Sequence, residues 1–407
     1  MDNDSKETLR RIRQNDPTLT ELHLSSAWRP NPFEEDDHRG GKFVSDVGRD
    51  YSTLGECIGC NNHLKELCVY RSGAIFALDN QDMKSFVGGI KRNSSISKLH
   101  LKNYCPSRVH LLRELLKVYE DKNSLEELYV SPSRQFEDDI ITTFKTCTNI
   151  KSIQIHYNGD FTQIFEAIRD NHMLEQLGLR SSIGKSGCEL LATMLEDQNS
   201  SLYRLNLSDR RRDITNEGIT YLVNALARNN QLRELYILSI ALDEELKNLF
   251  SNLLCNTSSI NSTYSTNHTL KRLAISGEKV KDSQFAAALY LNGYKNKRNV
   301  AIKKILYYHP HIDMEPLFIM DLEGEERDLK ALPYILSWFE RAAVAVKDEE
   351  WIYEDYDVRN NYDRGESIET FLSEVNETYR VKERKLSAVY QFVQAMPLLF
   401  VPVSHRK

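Results

Sequence analysis

Four residues that bind metals when they converge fall within twelve positions: CIGCNNHLKELC holds Cys57, Cys60, His63 and Cys68. Thiolate and imidazole are ligands of tetrahedral zinc, and four of them must come within ~2.3 Å of one ion. Three other stretches carry donor groups of a chemical kind. HPHID (His309 to Asp313) offers two imidazoles and a carboxylate, RGGK (Arg39 to Lys42) sets glycines beside a lysine, and RRRD (Arg210 to Asp213) is basic. None has the setting its chemistry needs. RGGK lacks the spacing and the strand-to-helix context of a phosphate loop. HPHID follows a helical pattern and reads as a helix stop, and RRRD reads as a solvated turn after a strand. No Ser/His/Asp or Cys/His arrangement is expected to converge either, so no enzymatic activity, catalytic residue or cofactor is expected.

The elements that position these residues explain the cysteines. CNNHLKELCV and RNNQLRELYI (Arg228 to Ile237) share one frame, an asparagine followed by L-x-x-L-x-aliphatic. The frame recurs as TLTELHL, SISKLHL, SLEELYV, NIKSIQI, MLEQLGL, SLYRLNL and TLKRLAI, with first anchors at Leu19, Leu64, Ile96, Leu125, Ile150, Leu174, Leu202, Leu232 and Leu270. Neighbouring anchors from Leu64 to Leu232 are separated by 24 to 32 residues, the period of leucine-rich repeats. The last two apolar residues of each frame alternate, as on a short strand with one buried face. Runs between them, such as NEGITYLVNALARNN, place Ile219, Leu222, Val223 and Leu226 at helical spacing. Asparagine precedes the anchor by three at Asn61, Asn93, Asn171, Asn199, Asn229 and Asn267, where a helix ends and a left-handed residue is expected. One strand and one helix cannot bury their apolar faces alone, whereas stacked neighbours can. In this frame Cys57 and Cys60 end a helix, His63 lies in a turn and Cys68 faces off a strand. The motif is a repeat seam, and no metal site is expected.

GKSGCELLATMLEDQNSSLYRLNLS and ITNEGITYLVNALARNNQLRELYI resemble leucine-rich repeats of the ribonuclease-inhibitor-like class. The resemblance covers roughly residues 1–293 and is best from about 120 to 240. It departs from that class after the strand, where the usual Asn or Cys occurs only at Cys105. DLKALPYILSWFERA and RKLSAVYQFVQAMPLLF are similar to the tails of uncharacterised algal proteins of this repeat type. The resemblance implies an α/β fold: a right-handed leucine-rich repeat horseshoe, parallel sheet inside and helices outside, with a C-terminal helical cap. Residues 1–18 are expected to form an N-terminal helical cap, 19–293 a solenoid of about nine repeats, and 294–407 a mostly helical cap with an acidic flexible segment over 347–380. The polar connection over 25–50 reads as an irregular insertion, and NTSSINSTYSTNHT as another.

Function then falls to the surface. The strand residues alternating with the apolar ones line the concave face, and Tyr70, Lys98, His100, Tyr129, His156, Arg180, Arg204 and Tyr236 are the candidate contacts. Tyr and Arg bring large area with a polar handle and dominate binding energy in protein interfaces. The expected role is a non-catalytic scaffold binding a protein partner. The alternative is a regulator of a small GTPase, because GTPase activators of nuclear transport use a similar horseshoe with an acidic tail. The net charge of −6 gives no attraction to nucleic acid or anionic membrane. No window holds the ~20 apolar residues of a membrane span. Seven cysteines without a secretory signal point to free thiols in a reducing compartment, the cytoplasm or nucleus, and a monomer is expected.

Overall fold

The computed structural model of the chain describes residues 1–24, 40–69, 75, 78–101, 110–131, 136–157, 161–180, 183–208, 214–238, 243–275, 278–279, 283–294 and 296–309. The described strands are β1 (Glu21–Leu24), β2 (Gly40–Lys42), β3 (Glu66–Val69), β4 (Lys98–Leu101), β5 (Glu127–Val130), β6 (Ser152–Ile155), β7 (Gln176–Arg180), β8 (Arg204–Ser208), β9 (Glu234–Leu238), β10 (Arg272–Ile275) and β11 (Glu278–Lys279). Between them run α1 (Asn3–Arg13), α2 (Gly48–Gly59), α3 (Asn80–Arg92), α4 (His110–Lys122), α5 (Glu137–Thr146), α6 (Thr162–Ile168), α7 (Gly184–Glu196), α8 (Asn216–Arg228) and α9 (Glu244–Leu254). Then come α10 (Ile260–Tyr264), α11 (Ser283–Asn292) and α12 (Lys297–Tyr308).

Two compact units result. The first, Met1–Leu249 with Arg272–Lys281, holds the whole sheet, in the order β11-β10-β9-β8-β7-β6-β5-β4-β3-β1-β2. Every pair is parallel except β10 with β11. A parallel neighbour requires a crossover, and from β3 to β9 one helix per repeat supplies it. The sheet does not close on itself. This is the fold class expected, an α/β leucine-rich repeat horseshoe.

Pairing is residue-matched, so each apolar position of the frame forms a row across the sheet. Leu22, Leu67, Leu99, Leu128, Ile153, Leu177, Leu205, Leu235 and Leu273 align strand to strand, and all are buried. All nine anchors are buried as well. Each such side chain contributes ~1.5–3 kcal/mol by leaving water. The helices face this core with the stripes read from their spacing: Ile219, Leu222, Val223 and Leu226 of α8 are all buried. Helices α2 and α3 approach each other closely at two glycines. A Cβ added at Gly89 would lie 1.8 Å from the carbonyl oxygen of Gly55, so both glycines are needed for contact.

The seams depart from expectation. Asn93 and Asn229 end α3 and α8 in extended backbone, φ −71° and −77°, not left-handed. Their side chains make the turn instead. The Asn93 carboxamide oxygen accepts from the backbone N–H of Ser95 (2.8 Å) and Ile96 (2.9 Å), while its Nδ2 donates to the carbonyls of Ile58 and Asn61, both at 2.7 Å. Asn61, Asn229 and Asn267 accept in the same way from the residues two and three ahead. Asn199 has no such role: it is exposed, and the Oδ1 of Asp197 accepts from its backbone N–H. Among the described residues the left-handed non-glycine positions are Asn15 and Asn123.

The first connection is also more ordered than expected, since residues 40–42 pair with β1 and α2 begins at Gly48. The second unit, Phe250–Lys271 with Asp282–Lys407, is helical where described. The NTSSINSTYSTNHT insertion contains α10, begun by Ser259, whose hydroxyl accepts from the Ser262 N–H at 3.0 Å. Lys304 of α12 is fully buried and donates to the carbonyls of Leu254 (2.5 Å) and Asn267 (2.8 Å). Among the described residues no helix is long and apolar enough to cross a membrane. The 347–380 segment and the helical patterns after residue 310 lie outside the described residues, as do residues 25–39.

Candidate functional site

The residues that alternate with the buried rows form rows of their own. Register places Glu21, Glu66, Lys98, Glu127, Ser152, Gln176, Arg204, Glu234 and Arg272 in one. His23, Cys68, His100, Tyr129, Gln154, Gly178, Asn206, Tyr236 and Ala274 form the next. From β4 to β9 these positions keep partial exposure, and Arg180 at the end of β7 is exposed. Two positions differ from expectation. His23 and Cys68, expected on the open face, are buried at 5% and 0% exposure.

The eight candidate contacts fall into distinct surroundings. Tyr70 lies outside the described residues, as do Lys102 and Ser276. The Lys98 ammonium meets Glu127 at 2.6 Å. Burial disfavours its charge, but the hydrogen bond and charge of Glu127 outweigh that and raise its pKa. The His100 and Tyr129 rings lie 5.7 Å apart, tilted by 42°. His156 follows β6 and donates its backbone N–H to Val130. Arg180 enters no ion pair among the described residues.

Arg204 is held most firmly. Its Nε donates to Glu234 at 2.6 Å and its Nη1 to Gln176 at 3.1 Å, and both charged side chains are 13% exposed. Arg272 approaches the other oxygen of Glu234 at 3.3 Å, and the Tyr236 hydroxyl donates to Glu234 at 3.3 Å. Burial first, then the Glu234 charge, pushes the Tyr236 pKa up. One carboxylate thus ties β8, β9 and β10 together, and losing it would leave two guanidiniums facing each other. Removing one partner of a well-buried pair costs ~3–5 kcal/mol, an upper bound at this exposure.

The metal-like motif is dispersed by the fold. Cys57 lies in α2, Cys60 is that helix's cap, and His63 is in the turn, where its backbone N–H donates to Asn61. Cys68 meets other partners. Its thiol donates to Glu66 Oε1 at 3.0 Å, and His100 Nδ1 lies 3.2 Å from the same oxygen. One ligand atom each from Glu66, Cys68 and His100 lies within 4.8 Å of the others, and among the described residues this group alone is so placed. Reading the motif along the chain missed His100, which is 32 residues from Cys68. Aligning the repeats one above another places the two side by side. All six described cysteines are free.

The other constellations are structural where described. RGGK supplies β2, and a Cβ at Gly41 would lie 2.7 Å from Thr8, so the glycine serves close packing. His309 follows α12, and its Nε2 is 2.7 Å from the Thr263 hydroxyl. Pro310 to Asp313 and Arg210 to Asp213 lie outside the described residues.

No family model matches the chain, and no curated protein matches it. Among solved structures it is similar to the tropomodulin C-terminal domain of Caenorhabditis elegans, at 15% identity and a TM-score of 0.29, over 42% of this chain and 93% of that one.

Proposed function

We propose that this chain is a non-catalytic scaffold, a leucine-rich repeat protein of the ribonuclease-inhibitor-like class with a protein partner on its open sheet face. The observation that carries the reading is the solvent-accessible face from β4 to β9, where Tyr129 and Tyr236 share one row and His156 and Arg180 lie at the ends of β6 and β7. Aromatic and guanidinium groups on a preorganised surface lose little freedom on binding. Arg180 is the better anchor than Arg204, whose guanidinium is already engaged by Glu234 and Gln176. The protein works as a monomer in the cytoplasm or nucleus, with neither nucleic acid nor membrane as its partner.

The test joins stability to affinity. A partner is captured from native cytosol with the full chain, then titrated against Tyr129→Ala, Arg180→Ala and Tyr236→Ala. Each variant is expected to weaken binding by ~1–2 kcal/mol or more. Tyr129→Ala and Arg180→Ala should shift the chain's stability by less than ~1 kcal/mol. Full affinity in all three variants would move the binding site off this face. Regulation of a small GTPase has no observation in its favour, and acceleration of GTP turnover in a panel of small GTPases would overturn the scaffold reading.

A further inference from the structure

We propose that Glu66, Cys68 and His100 form a zinc(II) site on β3 and β4, which takes His100 from the candidate partner contacts but does not rest on the partner-binding reading. The donor set selects the ion. Thiolate, imidazole and carboxylate together suit borderline-soft zinc, whereas calcium and magnesium take oxygen ligands.

The geometry is nearly that of a coordination sphere. Tetrahedral zinc at ~2.0–2.3 Å from its ligands sets neighbouring ligand atoms ~3.3–3.5 Å apart. The Glu66 oxygen stands 3.0 Å from the Cys68 sulfur and 3.2 Å from His100 Nδ1, and all three atoms lie within 4.8 Å of one another. An ion between them requires the first two separations to widen by only ~0.1–0.5 Å. Thiol and imidazole both meet the same carboxylate oxygen, so the three donor groups are already gathered at one point.

The fold holds these groups in place. Glu66 and Cys68 are two apart on one strand and share a face, and His100 is opposite Cys68 on the next strand. β3 is paired on both sides, with β1 and β4, so the ligand-bearing backbone is set by the sheet itself. Cys68 is fully buried, while the His100 and Glu66 side chains are 22% and 17% exposed. The sulfur is thereby shielded, while the imidazole and carboxylate keep some contact with solvent. Lys98 lies beside Glu66 on the same face but directs its ammonium to Glu127. His23, on the far side of Cys68, sets its Nε2 3.4 Å from Glu21. The expectation of no metal site weighed Cys57, Cys60, His63 and Cys68 as one motif; the proposed site takes Cys68 alone from it.

The experiment uses the full chain, stripped of metal and titrated with zinc against a chromophoric chelator, with cobalt(II) as a spectroscopic substitute. One equivalent is expected, and cobalt should show a thiolate charge-transfer band in the near ultraviolet. Cys68→Ser and His100→Gln should each lose ~100-fold or more in zinc affinity, since even outer groups cost 10–100-fold. Cys57→Ser and Cys60→Ser should bind as the parent does. The cobalt spectrum of the unsubstituted chain reads the sulfur ligand without relying on any variant's folding. Zinc lost entirely to the chelator, a cobalt spectrum without the thiolate band, or loss of binding on replacing Cys57 or Cys60 would each overturn the proposal.

Discussion

Asn93 and Lys122 hold the same place in consecutive repeats, three residues before the anchors Ile96 and Leu125, yet they close their seams by different means. Asn93 donates to the carbonyls of Ile58 and Asn61 in the repeat before it. The Lys122 ammonium donates to the carbonyls of Ile90 (3.0 Å) and Asn93 (2.5 Å), the equivalent pair one repeat later. The donor task is therefore conserved in space while the residue type changes. The acceptor task is not. Lysine has no acceptor for the N–H groups ahead of it. The chain turns there through Asn123, in the left-handed conformation at φ 47°. Where the side chain makes the turn the backbone stays extended, and where it cannot the backbone bends. Lys304 repeats the lysine solution in the second unit, donating to Leu254 and Asn267 with no exposure at all.

This contrast can be broken at several points. The largest effect is expected for Asn93→Ala, which removes four hydrogen bonds from a buried seam and leaves the Ser95 and Ile96 N–H groups without that acceptor. A loss of ~3–5 kcal/mol is expected in urea unfolding. A loss below ~1 kcal/mol would mean that the side chain is not what holds the seam.

Lys304 is tested by pH. Burial first, partly offset by Cys255, depresses its pKa from 10.5 to about 7 in the folded chain. The unfolded chain therefore binds more protons between about pH 7 and 10.5, and stability rises with pH across that window. The slope should approach ~1.4 kcal/mol per pH unit, and Lys304→Met should flatten it in unfolding titrations. A neutral amine still donates to both carbonyls, so the contacts survive deprotonation. An unchanged slope in the variant would mean that Lys304 stays charged when folded.

Lys122 is only half-buried, so Lys122→Met, which keeps the stem, should cost ~1–2 kcal/mol by the same measurement. A cost equal to that of Asn93→Ala would erase the distinction between donor-only and donor-acceptor seams. The smallest effect is expected at Asn199. This residue obeys the sequence pattern but is exposed, and Asn199→Ala should stay within ~0.5 kcal/mol.

The strand frame was legible because its apolar residues do one thing only. Each L-x-x-L-x-L unit buries its anchor and two strand positions, and all nine became strands in one register. The period-3.6 stripe of α8 was legible for the same reason. Asparagine was harder, since the same letter at the same offset is buried at Asn229 and exposed at Asn199. Its role depends on where the helix ends, and α7 stops so that Asp197, not Asn199, is the cap. Lys122 was missed because a charged residue on a helix end reads as solvated, and nothing local shows the carbonyls it reaches 29 and 32 residues back. The Glu66, Cys68 and His100 group was missed because its members are neighbours across the sheet and not along the chain. β2 and β11 carry no repeat frame; they are short additions whose pairing depends on the strand beside them.

Those two short strands bear on how the protein behaves among its own copies. A sheet built by adding like to like has no inherent reason to stop, and an unpaired edge is a template for the next chain. Among the described residues the outermost strands are GGK and EK, three residues and two, and each carries a lysine. The final one runs against the direction of all the others. An incoming strand in the repeat register would find few backbone groups to pair with and a reversed polarity at one side. Among the described strands, the two margins of the sheet therefore offer a neighbouring copy little backbone to extend.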